Sequence, residues 1–95
     1  MENDTRPLLV FFRNAHSGPA RRMESLIAHV ARKERSRLKV RAVDVDEQAD
    51  LAERFHVETV PTLVLVKDKR VVGRLEGRAS APRIERLLEA HLAAA

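Results

Sequence analysis

Five consecutive apolar residues, Leu8 to Phe12, lead through a polar break to Gly18-Pro19. Met23, Leu26, Ile27 and Val30 then follow at the i, i+3, i+4, i+7 spacing of one helix face. An uninterrupted apolar run predicts a strand covered on both faces, as in a parallel sheet, rather than one with a wet side. Gly-Pro marks a turn and a helix start, since proline is tolerated in the first helical turn. Arg21, Arg22, His29, Arg32 and Lys33 occupy the other helix positions, so the helix is amphipathic and about four turns long.

The remaining pattern supplies the partners such a strand requires. Leu38, Val40, Ala42 or Val43, and Val45 alternate as a second strand. Asp46 is expected to cap a short helix over Gln48 to Phe55, with Leu51, Ala52 and Phe55 facing inward. His56 to Val60 connects this helix to Pro61. Thr62 to Val66 and Val71 to Leu75 are β-branched, apolar strands, joined at Asp68-Lys69 by a hairpin turn that lacks the customary glycine. Ser80 is the expected N-cap of a last helix, with Pro82 in its first turn and Ile84, Leu87, Leu88 and His91 or Leu92 inward. Residues 1–5 read as a polar lead-in and 93–95 as a fraying tail. The order predicts a right-handed βαβ unit, a hairpin and a covering helix in a single domain over 1–95. Helices on both faces of a four-stranded mixed sheet make a three-layer α/β/α sandwich.

Hydrophobic residues at 44% and charged residues at 34% suit a chain with a buried core and a solvated surface. There is no cysteine, which excludes disulfides and any cysteine-based metal site. His16, His29, His56 and His91 lack a metal-ligand spacing, and Gly18, Gly73 and Gly77 are scattered rather than gathered into a phosphate loop. No metal and no cofactor are therefore expected. No segment is long and apolar enough to predict a membrane span, and Glu2 and Asp4 precede the first apolar run where a secretory signal would be basic. The expected compartment is the cytoplasm.

Charge is distributed unevenly. Ten basic residues lie between Arg6 and Arg41 against Glu24 and Glu34, whereas 42–58 holds six acids against Arg54 alone. This predicts a basic side and an acidic side, either solvated or meeting a charged partner. Aromatic residues are only 3%, all phenylalanine, which disfavours nucleic-acid binding through base stacking.

Four local signatures, taken in order, make the chain similar to the thioredoxin family. Phe11-Phe12-Arg13-Asn14-Ala15-His16-Ser17-Gly18-Pro19-Ala20-Arg21 resembles the family's strand running into Trp-Cys-Gly-Pro-Cys and a helix. Val43-Asp44-Val45-Asp46 resembles the end of its next strand. Phe55 to Thr62 resembles the stretch that ends in its cis-proline loop, and Gly77 matches a glycine near the same groove. The likeness runs from Pro7 to Leu92. It implies the family fold in βαβαββα order, without the family's additional N-terminal strand and helix.

The departures from the family pattern concern its chemistry. Ser17 and Ala20 stand at the two cysteine positions, and His16 stands at the preceding aromatic. Phe11 takes the place of a buried aspartate that moves protons in redox-active relatives, and Ala42 that of a nearby lysine. Without a thiolate there is no attacking species for disulfide exchange, so no catalytic residue is expected. The resemblance implies a redox-inactive member that binds a protein or peptide partner in a groove. His16, Ser17, Gly18, Pro19 and Ala20 would line one side, with Thr59, Val60, a cis Pro61 and Gly77 on the other. Two alternatives stand beside it: an accessory or scaffold role in an oxidoreductase system, and basic-face binding to nucleic acid or another acidic partner.

Ser17 itself reads as a helix cap accepting the Ala20 N–H rather than as a nucleophile. A hydroxyl at a helix start still needs a general base and an oxyanion site. Arg13, Arg21 and Arg22 flank the same helix start and are possible contacts for an anion.

Overall fold

The computed structural model describes residues 5–14 and 18–92. Its elements are β1 (Leu8–Arg13), α1 (Gly18–Lys33), β2 (Lys39–Asp44), α2 (Ala49–Arg54), β3 (Thr62–Lys67), β4 (Arg70–Glu76) and α3 (Ala81–Glu89). The sheet order is β2-β1-β3-β4. β1 and β2 are parallel, and the other two pairings are antiparallel. This is the expected α/β arrangement of a four-stranded mixed sheet with helices.

The apolar run of β1 is explained by its position inside the sheet. Leu9 and Phe11 point to one layer with Met23, Ile27 and Val30 of α1, Ile84 and Leu88 of α3, and Leu63 and Leu65 of β3. Val10 and Phe12 point to the other, with Val43, Ala52 and Val64. Leu9, Phe12, Leu63, Val64 and Leu65 are all fully buried. Alternate residues thus serve two cores, and each layer stabilises the strands that the other needs.

β2 departs from the expected single alternation. Leu38 and Val40 join the α1 layer, but Val43 and Val45 join the α2 layer, while Arg41 and Ala42 are exposed. The cause is position: β2 is an edge strand, covered by α1 at its start and by the short α2 at its end. An edge strand also carries Lys39 and Arg41, charges that discourage pairing with another chain.

The expected cap at Asp46 does not form. α2 runs over Ala49–Arg54 rather than Gln48 to Phe55, and its N-cap position is Gln48, without a side-chain cap hydrogen bond. The turn is organised by Asp44 instead, whose Oδ1 accepts the N–H groups of Asp46 at 2.8 Å and Glu47 at 3.3 Å. Asp46 accepts from Asn14 Nδ2 at 3.0 Å, tying the end of β1 to this turn. A carboxylate that closes a turn two and three residues ahead thus shapes the approach to α2 from two residues before Asp46, without capping the helix. Ser80 occupies the N-cap position of α3 with extended backbone, but its hydroxyl makes no cap hydrogen bond.

The β3–β4 hairpin closes through Asp68 and Lys69, with φ of 53° and 66°. Positive φ at both central residues is the turn geometry whose twist matches the flanking strands. The register then slips: Leu65 faces Gly73 but Val66 faces Val71, leaving Val72 as an extra residue that packs into the α1 layer. At Gly73 a Cβ would lie 2.4 Å from Leu87 Cδ1, so the absent side chain lets α3 approach the sheet.

Candidate functional site

The segment before β3 is held from several sides. α2 ends with His56 at a φ of 56°, its N–H donating to the Glu53 carbonyl at 3.0 Å while the Val57 N–H reaches the Ala52 carbonyl at 2.9 Å. This paired closure satisfies the last helical carbonyls and turns the chain toward Pro61. Phe55 packs on Phe12, ring centroids 5.7 Å apart, and fixes the turn to the centre of the sheet.

Arg74 of β4, to which sequence reasoning assigned no role, completes the attachment. Its Nη1 and Nη2 donate to the Phe55 and His56 carbonyls, both at 3.1 Å. A guanidinium at a helix C-terminus meets the negative end of the helix dipole as well as two free acceptors. Its Nε lies 3.4 Å from Glu76 Oε1, an ion pair without hydrogen-bond alignment. The sequence signal was a lone arginine on the strand face opposite Leu75, indistinguishable from a solvated position until α2 is placed beneath it.

Beyond Val57 the chain reaches the loop of interest. The Val60–Pro61 peptide bond is cis. Thr62, fully buried, donates its hydroxyl to the Thr59 carbonyl at 2.6 Å and so pins the loop to the start of β3. The buried Pro61 accepts the Gly77 N–H at 2.8 Å, which joins this loop to the one following β4. Gly77 has a φ of 78° and open space where a Cβ would project. Thr59 is exposed and Val60 half-buried. Among the described residues, no backbone hydrogen bond uses the Val60 N–H or carbonyl. Thr59, Val60, Pro61 and Gly77 are therefore brought together.

The other side of the expected groove is described only in part. His16 and Ser17 lie outside the described residues, and with them the expected Ser17 cap. The backbone of Gly18, Pro19 and Ala20 forms the first turn of α1, which contains no acidic residue. Of the arginines considered for an anion, Arg13 pairs with Glu24 of α1 at 3.1 Å, while Arg21 and Arg22 are exposed.

Beneath this helix start the layer is apolar. Phe11 is 1% exposed and faces Ala42 across the β1–β2 pairing. Thr62 is the only buried polar or charged residue among those described. No group of three or more His, Asp or Glu side chains among the described residues is arranged to hold a metal. No helix among them is long and apolar enough to cross a membrane. A shallow concavity of about 500 Å³ lies around the start of α2, lined by Asp46, Glu47, Asp50, Leu51 and Arg54. Its acids face solvent.

Comparison with known proteins places this geometry. The family model described as Thioredoxin matches residues 1–90. A thioredoxin-like protein of Synechocystis is 33% identical over 91 residues, covering 96% of this chain and 84% of that protein. The chloroplastic thioredoxin Y of Oryza sativa is 26% identical over 97% of this chain, which spans only 55% of that protein's length. Among solved structures, a mutant thioredoxin from Halobacterium salinarum superposes with a TM-score of 0.86 at 29% identity. That match covers 97% of this chain and 80% of the other.

Proposed function

This chain belongs to the thioredoxin family, and from that premise and its lack of cysteine we propose a redox-inactive domain that binds a protein or peptide partner. Disulfide exchange starts with attack by a thiolate, and a serine hydroxyl does not replace it at neutral pH without a base and an oxyanion site. Phe11 is packed among apolar residues, and no buried carboxylate stands beside it among the described residues to carry protons.

The observation that carries the binding half is the pair of joined loops at Pro61 and Gly77, beside a Val60 main chain that makes no backbone hydrogen bond among the described residues. An extended segment laid along residues 59–61 would bond to that main chain as a strand adds to a sheet edge. Such recognition needs no sulfur. The reading also takes the cytoplasm as the compartment, on the sequence grounds given above.

Two measurements test it. An insulin-reduction assay should give no turnover above the protein-free rate; measurable turnover would overturn the redox-inactive half. For binding, a peptide selected from a library of extended sequences is titrated against the native chain, Gly77→Trp and Gly77→Ala. Both variants place a Cβ on left-handed backbone at a cost of about 1 kcal/mol, but only the indole fills the space beside Pro61. Loss of affinity in the Trp variant alone is expected. Equal affinity of all three chains sinks the groove assignment.

A further inference from the structure

The fold regroups the cations that the sequence presents as one segment. β1 begins at Leu8, beside Lys39 of β2 and Val66 of β3, and β3 meets β4 at the Lys67–Arg70 turn. This end of the sheet is opposite Pro61 and Gly77, separated from them by a strand length of about 20 Å. α1 finishes here with Arg32 and Lys33 in its last turn. The Arg6 guanidinium donates to the Arg35 carbonyl, so the entry to β1 and the exit from α1 hold their charges side by side. Lys69 and Arg70, far along the chain, stand at the same end of the sheet in the hairpin, across β1 from β2. Arg6, Arg32, Lys33, Arg35, Lys69 and Arg70 are all exposed. Of the acids at this end among the described residues, Glu34 is bound to Arg37 at 2.6 Å, and Asp68, Glu89 and Glu85, which shares a concavity with Lys33, stand against the cations. Arg21 and Arg22, by contrast, lie in the early turns of α1, toward the other end.

We propose that this basic end of the sheet binds the phosphate backbone of double-stranded nucleic acid. A stable protein interface needs an apolar centre, and the only exposed large hydrophobic residue among those described is Val71. A phosphate backbone needs only positioned cations, and guanidinium groups bind phosphate oxygens in pairs. Single strands are disfavoured because no phenylalanine is free to stack: Phe11 and Phe12 are buried and Phe55 packs on Phe12. The low aromatic content thus weighs against unpaired nucleic acid and leaves a duplex open. A duplex contacted through its backbone is bound without regard to sequence. The site is independent of the Pro61 groove, and either can fail without the other.

The test is fluorescence anisotropy of the full chain on a DNA duplex of arbitrary sequence, about two helical turns long, across a salt series. Contacts to about five phosphates predict a slope of log K against log salt of roughly −4.5. Lys69→Glu with Arg70→Glu, and separately Arg32→Glu with Arg35→Glu, should each weaken binding at least about tenfold and flatten the slope by about 2. Arg54→Glu with Arg83→Glu changes the net charge equally away from this end and should leave affinity within about twofold. Circular dichroism checks that each variant is folded. The proposal is overturned if the duplex is not bound at low salt, or if the Arg54 and Arg83 control loses as much as the others. It is equally overturned if phosphatidylserine vesicles or polyglutamate are bound while the duplex is not.

Discussion

His56 holds a φ of 56° where α2 turns back, and Lys69 one of 66° in the hairpin. Left-handed backbone costs a residue with a Cβ about 1 kcal/mol or more, because the Cβ crowds the following carbonyl. His56 is exposed and Lys69 is exposed, so neither recovers that cost through burial. His56→Gly and Lys69→Gly should each raise stability by about 1 kcal/mol in urea unfolding, the gain being reduced by the greater freedom of glycine in the unfolded chain. The two sites are far apart, and the double variant should add to within about 0.5 kcal/mol. A destabilised Lys69→Gly chain would contradict the turn geometry described. The hairpin was legible because the two apolar strands leave only the polar residues 67–70 between them, with Asp68-Lys69 at their centre. The reversal at His56 was not, since its sign of φ depends on where α2 stops.

At the scale of elements, α2 is the one that could not stand alone. Six residues do not offset the cost of nucleating a helix, so its persistence rests on tertiary contacts. Ala52 and Leu51 reach the second core, Phe55 stacks on Phe12, and Arg74 caps its last turn from β4. Arg74→Leu keeps apolar bulk while removing both donors, and should cost about 1.5–3 kcal/mol, the usual range for charged hydrogen bonds. Backbone hydrogen exchange should rise first at Phe55 to Thr59. Arg74→Lys should recover only part of the loss, because an ammonium lacks the fork that spans two carbonyls. Glu76→Gln should stay within about 0.5 kcal/mol, as its pairing with Arg74 is partly exposed and poorly aligned. An Arg74→Leu chain as stable and as protected as the native one would remove the clamp from this account.

Across the whole molecule, β1 and β3 belong to both cores, since their successive residues face opposite layers. Neither layer can come apart while the other keeps its strands. The chain contains no tryptophan, so Phe55→Trp on the α2 side and Leu92→Trp beside α3 give clean reporters of the two layers. Their urea transitions should share one midpoint and match the loss of helical circular dichroism. Separate midpoints would show two independent units. Much of this architecture was already determined by sequence. The apolar runs at 8–12 and 62–66, the helix stripes of α1 and α3, and their order leave few arrangements open, because burial periodicity is set residue by residue. The missing cysteines and the apolar Phe11 were likewise legible before any coordinates. What only the tertiary structure decided is what depends on neighbours distant in sequence. It split β2 between two layers, gave the turn before α2 to Asp44 rather than Asp46, brought Arg74 beneath α2, joined Pro61 to Gly77, and put Lys69 and Arg70 at the same end of the sheet as Arg32 and Arg35. A polar or charged side chain can serve solvent, a carbonyl or a phosphate equally well, and only the fold determines which of them it meets.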